Sequence, residues 1–206
     1  MLTATDLLKV WEEGAGRSPV ERSLLAFALA RPTATAEDLL DAGIGERDRS
    51  LINLRCALFG TAAEAVADCP ACGQRLDLNI DLRDLLLPGS GKPLLTIRDL
   101  VEAPPIPSAF REHLLKRAGV EDPSAIEAAD PQANLQFDLE CAECGHAWQE
   151  TFDIVSFFWT ELEDLAVRTL QDVHALATAY GWSEDQILAL SPTRRALYLS
   201  MIGGTR

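Results

Sequence analysis

Two short strings decide how this chain is read: Cys69-Pro70-Ala71-Cys72-Gly73 and Cys141-Ala142-Glu143-Cys144-Gly145. A C-x-x-C spacing lets one tight turn present two thiolates to a single ion. The glycine that follows supplies the positive φ such a turn needs, with backbone amides turned toward the sulfurs. Two pairs give four ligands, the number a tetrahedral structural zinc takes. Cys69, Cys72, Cys141 and Cys144 are therefore the expected metal ligands, for one zinc ion. Four thiolates leave no open position for water or substrate, so this zinc is expected to hold structure together and do no chemistry.

The sequence around each pair repeats weakly at an offset of 72 positions. Asp68 aligns with Glu140, Gly73 with Gly145, Leu76 with Trp148, Ile80 with Phe152, and Leu82 with Ile154. Leu76, Leu78, Ile80 and Leu82 alternate with Asp77, Asn79 and Asp81, the two-residue period of a half-buried strand. Leu135, Phe137 and Leu139 alternate too, as do Trp148, Phe152 and Ile154, with Glu150 breaking the run. Each half reads as strand, knuckle, strand, over residues 63–82 and 133–155. Two such hairpins facing one ion make a zinc ribbon. The gap between Cys72 and Cys141 far exceeds the roughly 15–20 residues of simple ribbons, so the expected ribbon is discontinuous.

Residues 83–132 account for the excess. They hold seven of the eleven prolines and Gly89-Ser90-Gly91. The segment reads as a peripheral insertion of loops, with one or two helices around Phe110 to Ala118.

Residues 1–62 read as short helices. Leu7, Leu8 and Trp11 share a face, and Gly14 and Gly16 end that element. Ser18-Pro19-Val20-Glu21 is a capping box with proline at the first helical position. Thr35 with Asp38 opens another short helix. Arg47 to Phe59 places Leu51, Leu54 and Leu58 at helical spacing, ahead of a stop at Gly60. Cys56, the odd cysteine, is expected there as a small buried apolar residue. From Ser156 a three-four spacing returns through Trp159, Leu162, Ala166, Leu170, Val173, Ala177 and Tyr180. Gly181 ends that helix, Ser183 to Gln186 forms another capping box, and Ser191-Pro192 opens a last helix over residues up to Ile202. The predicted fold class is α+β, with helical segments at 1–62 and 156–206 around the discontinuous ribbon.

Composition bounds the function. The 206 residues carry 18 Lys+Arg against 32 Asp+Glu, a net charge of −14, with 48% hydrophobic residues. That is globular composition with an acidic surface. It argues against a general nucleic-acid or anionic-membrane binder, since both need a basic face. The hairpin segments carry Arg75 as their only basic residue against nine acids. The N-terminus has no secretory pattern and no stretch is long enough to span a membrane, so a cytoplasmic protein is expected. In a reducing compartment paired cysteines point to metal rather than disulfide. A redox or metal-trafficking pair and a zinc-ribbon adaptor in a transcription or other nucleic-acid complex are the alternatives. His146 reads as an exposed histidine beside a filled site. No phosphate loop, H-E-x-x-H or G-x-S-x-G string is present, and no enzyme is expected.

Phe157, Phe158, Trp159, Tyr180 and Trp182 concentrate aromatic residues in a chain that is 6% aromatic. With Arg194, Arg195 and Tyr198 they are the candidate partner-binding residues, set against core packing as the alternative.

Two strings also carry a resemblance. One is Cys141-x-x-Cys144-Gly145, Trp148 and Phe152-Asp153-Ile154-Val155-Ser156-Phe157-Phe158-Trp159. The other runs from Val173-His174 through Tyr180-Gly181-Trp182-Ser183-Glu184 to Ser191-Pro192-x-Arg194-Arg195-x-x-Tyr198-Leu199. Together they resemble the T-even phage baseplate hub assembly chaperone family, best over residues 133–206. The resemblance implies a non-enzymatic assembly factor whose partner is the hub or spike protein of a contractile tail-like particle, or a structural component of that baseplate. On that reading the C-terminal helices present an apolar groove or ridge to a hub subunit.

Overall fold

In a computed structural model, which describes residues 2–88 and 93–203, the chain combines ten helices with two small sheets among those residues. In chain order the elements are α1 (Ala4–Gly14), α2 (Pro19–Ala30), α3 (Ala36–Asp41), α4 (Ile44–Phe59), β1 (Ala62–Asp68) and β2 (Arg75–Asp81). They continue with α5 (Ile97–Glu102), α6 (Pro107–Ala118), α7 (Ser124–Ala129), β3 (Leu135–Glu140), β4 (Ala147–Phe152), α8 (Ile154–Tyr180), α9 (Glu184–Leu188) and α10 (Pro192–Gly203). Short 3-10 turns cover Leu82–Leu85 and Pro131–Ala133. Gly89-Ser90-Gly91 lie outside the described residues.

Local chemistry sets most helix starts. Thr3, Ser18, Thr35 and Ser183 each accept from the backbone three residues on, and Asp6, Glu21, Asp38 and Gln186 bond back. These reciprocal boxes satisfy amide groups that a helix start leaves without partners. Asp153 caps α8, accepting from the Val155 N–H at 2.9 Å and the Ser156 hydroxyl at 2.6 Å. That cap corrects the expected end of the second hairpin. Ile154 continues the two-residue period of Trp148 and Phe152, yet it is the first residue of α8 and is buried.

The chain divides into two compact units. The larger spans residues 18–158 and the smaller joins residues 1–17 to 159–206, so α8 starts in one and continues in the other.

In the larger unit, Phe27, Leu39, Ala42 and Ile97 form a buried cluster, with Leu24, Ala28 and Ala34 packed against it. Ile97 belongs to the segment 83–132, which is therefore not peripheral. Its N–H donates to the Ala42 carbonyl at 3.0 Å, and Gly43 and Thr96 form a β-bridge beside it. Asp99 caps α5 through Thr96 and takes the Arg117 Nε at 2.6 Å, which joins α6 to α5.

In the smaller unit Gly14 lies under the Trp159 ring. A Cβ there would sit 2.3 Å from Trp159 Cη2. Its φ is not positive, so this glycine is required by space rather than by conformation.

Candidate metal centre

The centre is built on two antiparallel hairpins that repeat residue for residue. In the first, Asp68 pairs with Arg75 and Ala67 with Leu76. In the second, Glu140 pairs with Ala147 and Leu139 with Trp148, each 72 positions on. The knuckles match in the same way. The Cys69 N–H donates to the Gln74 carbonyl at 2.8 Å, and the Gly73 N–H to the Cys69 carbonyl at 2.8 Å. The Cys141 N–H donates to the His146 carbonyl at 2.9 Å, and the Gly145 N–H to the Cys141 carbonyl at 2.8 Å. Gly73 has φ +74° and Gly145 φ +70°, with open space around both. The glycines are thus needed for the left-handed conformation alone. The repeat extends to the exits: Asp81 caps the turn at Leu82 and Asp153 caps α8 at Ile154, and both capped residues are buried.

Helix α4 fixes where the hairpins stand. The Arg55 guanidinium is buried and donates to the carbonyls of Gly60 and Ala62, at 2.8 and 2.7 Å, where β1 begins. It also lies 5.5 Å from the centre of the Phe157 ring, and Phe157 packs on Phe152 at the end of β4. The Gly45 N–H donates to Asp130 Oδ2 at 2.8 Å, five residues before β3. Arg49 Nη1 donates to the Leu87 carbonyl beyond β2. All four ends of the two hairpins are tied to one helix. Buried Gln132 adds a direct link, accepting from the Leu87 N–H at 2.8 Å and donating to the Leu85 carbonyl at 3.1 Å. The sequence reading did not single out Arg55, Asp130 or Gln132, because no local spacing marks a partner dozens of residues away.

Held this way, the knuckles converge. The sulfurs of Cys69, Cys72, Cys141 and Cys144 lie within 4.8 Å of one another. Cys69 and Cys144 stand 3.7 Å apart and Cys72 and Cys141 3.6 Å. Adjacent sulfurs of a tetrahedral thiolate site with metal–sulfur bonds of about 2.3 Å lie about 3.8 Å apart. The four cysteines are unbridged thiols at a separation that suits one metal ion. Cys69 and Cys141 are buried while Cys72 and Cys144 are exposed, so one sulfur of each knuckle faces inward.

The thiols are electrostatically unequal. Burial disfavours the Cys69 thiolate, but the N–H groups of Cys72 and Ala71 outweigh it and bring its pKa down to about 7. The Gln74 N–H favours the Cys72 thiolate, yet the neighbouring thiols of Cys144, Cys141 and Cys69 push it up to about 12. The His146 N–H favours the Cys144 thiolate, but burial and the thiols of Cys141 and Cys69 raise its pKa. Crowded sulfurs give up one proton readily and then resist a second charge. A bound cation reverses that resistance.

Of the other candidate residues, His146 is exposed and contributes its carbonyl to the knuckle; its ring stacks on Trp148 at 6.1 Å. Cys56 is half-buried rather than buried, and desolvation raises its thiol pKa. Phe158 is 0% exposed and Trp159 7%, so both side chains are buried in the chain. Half-buried Phe157 lies against Arg55 and Phe152. Tyr180, Trp182 and Tyr198 do come together, with ring centres 4.7 to 5.7 Å apart, and Tyr180 is 39% exposed. Arg194 is exposed and Arg195 buried. No helix among the described residues is long and apolar enough to cross a membrane.

The chain matches no family model, no curated protein and no solved structure.

Proposed function

We propose that this chain is a non-enzymatic assembly factor for the baseplate hub or spike of a contractile tail-like particle. We further assign Cys69, Cys72, Cys141 and Cys144 as ligands of one structural zinc, closing a discontinuous zinc ribbon. The convergence of four thiols from two sequence-distant knuckles carries the metal assignment. A complete thiolate shell suits a structural ion, since catalytic zinc keeps one position for water or substrate. Metal analysis of the purified protein tests this: one zinc per chain is expected, in a colourless protein. A red protein with one iron per chain would replace zinc by iron at the same ligands.

The assembly role is supported by the two resemblance strings and by what the second one builds. Tyr180, Trp182 and Tyr198 form an aromatic cluster, with Leu197 and Met201 exposed on α10. Partly exposed aromatic groups are the commonest anchors of protein interfaces. Coexpression with the hub and spike subunits, followed by affinity capture, is the test. Retention of neither subunit, together with intact particles after gene deletion, sinks the proposal.

A further inference from the structure

Within the smaller unit, α1, α8 and α10 enclose a groove of about 490 Å³. Leu7, Leu8, Leu162 and Leu199 give it an aliphatic lining. Arg195 lines the same groove and is only 7% exposed. Its Nε is buried and has no hydrogen-bond partner among the described residues. Arg168 adds a second, exposed cation, and Asp172 is an acid of the lining that forms no ion pair with either arginine among the described residues.

A guanidinium cannot shed its proton to escape burial. Chains that bury an arginine normally pair it, because an uncompensated buried charge is costly. Here the buried Nε has no partner, and the groove it lines is open, with Asp172 in the lining but in no ion pair with it among the described residues. Exposed Val167 and Leu170 on α8 and Leu197 and Met201 on α10 lie on two of the three helices that form the groove, which favours a polypeptide over a small free ligand. The net charge of −14 repels acidic tracts, so the complementary carboxylate is a single one set among aliphatic side chains.

We propose that this groove docks a partner-protein segment that inserts one aspartate or glutamate, flanked by aliphatic residues, onto Arg195. The proposal rests on the reading that the C-terminal helices bind a protein, and it names the chemistry of that partner.

The probe is a displayed library of random 12-residue peptides, selected on the full chain and counter-selected on Arg195→Met. Selected peptides are expected to carry Asp or Glu between Leu, Ile, Val or Met. Their affinity, read by fluorescence polarisation, is expected to fall at least about tenfold with Arg195→Met or with Gln in place of the peptide's acid. Arg195→Met is expected to melt at or above the wild-type temperature, since it removes a buried Nε that has no hydrogen-bond partner among the described residues. Recovery of no Arg195-dependent peptide, recovery of peptides without an acid, or a lower melting temperature for Arg195→Met overturns the proposal. Decanoate binding without any selected peptide would also overturn it, in favour of a free-amphiphile site. If peptides behave as expected while hub and spike subunits are not captured, the assembly role fails and the groove stands. If those subunits are captured equally by Arg195→Met, the groove is not how they bind.

Discussion

Cys72 and Cys141, 69 positions apart, bring their sulfurs to 3.6 Å although each belongs to a different hairpin. Neither hairpin holds more than two thiols, so an ion at this point joins the halves of the larger unit. Replacing Cys141 or Cys72 with Ser is expected to reduce bound zinc well below one per chain. It should also destabilise the fold by several kcal/mol, on the order of 10 °C or more in melting temperature. Chelation of the wild type should give the same drop. Metal analysis with calorimetry checks both, and full zinc content in Cys141→Ser would refute the assignment.

The equivalence of the two knuckles predicts equal penalties. Gly73→Ala and Gly145→Ala each force a side chain into the left-handed region without any steric contact. Each should cost about 1–2 kcal/mol, and Asn should recover part of that loss. Urea denaturation of the zinc-loaded variants reads the difference. A twofold disparity between the sites would show that the repeat is not energetic.

Gly45 and Asp130 meet differently. A Cβ on residue 45 would stand 2.0 Å from Asp130 Oδ1. Gly45→Ala must push the carboxylate away and break its bond to the Gly45 N–H. The expected cost is about 1–3 kcal/mol. Asp130→Ala, which relieves the clash, should make the Gly45→Ala change nearly neutral. A double-mutant cycle is the measurement.

Arg55 satisfies two carbonyls at the start of β1 from a position only 3% exposed. Arg55→Met keeps the stem but leaves both acceptors without their donor. A loss of about 2–4 kcal/mol is expected. Hydrogen exchange should show faster opening in β1 and β4 than in α2. Uniform change across the unit would contradict the anchoring role.

Burial pushes the Asp48 carboxyl up to about 6, against the attraction of Arg47 and with help from Asp153 and Asp130. Between about pH 4 and pH 6 the folded state therefore holds a proton the unfolded chain has lost. This group's contribution to stability falls as pH rises through that window, by about 3 kcal/mol in all, and is flat above it. Asp99 has the opposite sign. Burial opposes its charge, but its bonds to Thr96 and Arg117 outweigh this and lower its pKa. Its contribution is lost only as pH falls below the ordinary aspartate range. The difference in unfolding free energy between wild type and Asp48→Asn, followed from pH 4 to pH 7, isolates the first effect. A flat difference would exclude a raised pKa.

What could be read in advance was local. Ser18 with Glu21, Thr35 with Asp38 and Ser183 with Gln186 are complete within four residues, and they form as expected. The C-x-x-C-Gly knuckles are equally self-contained. β1, with the sequence AAEAVAD, has little strand propensity of its own and is held by its register with β2. Ile154 fits a strand period until Asp153 claims it for a helix. Ile97 sits in a proline-rich segment, and only tertiary packing shows it completing the cluster around Phe27. Phe158 and Trp159 lie among apolar residues on α8, and sequence cannot tell an aromatic residue buried in its own chain from one offered to another.

The attachment of all four hairpin ends to α4 bears on stoichiometry. Two thiols of one hairpin could in principle complete their shell with a second molecule, giving metal-bridged dimers. Tethering to a common helix sets the effective concentration of the second pair, and within one molecule that far exceeds any ordinary protein concentration. An ion bound there would thus be kept as a private crosslink of a single chain by Arg49, Arg55, Gly45 and Asp130, none of which supplies a ligand.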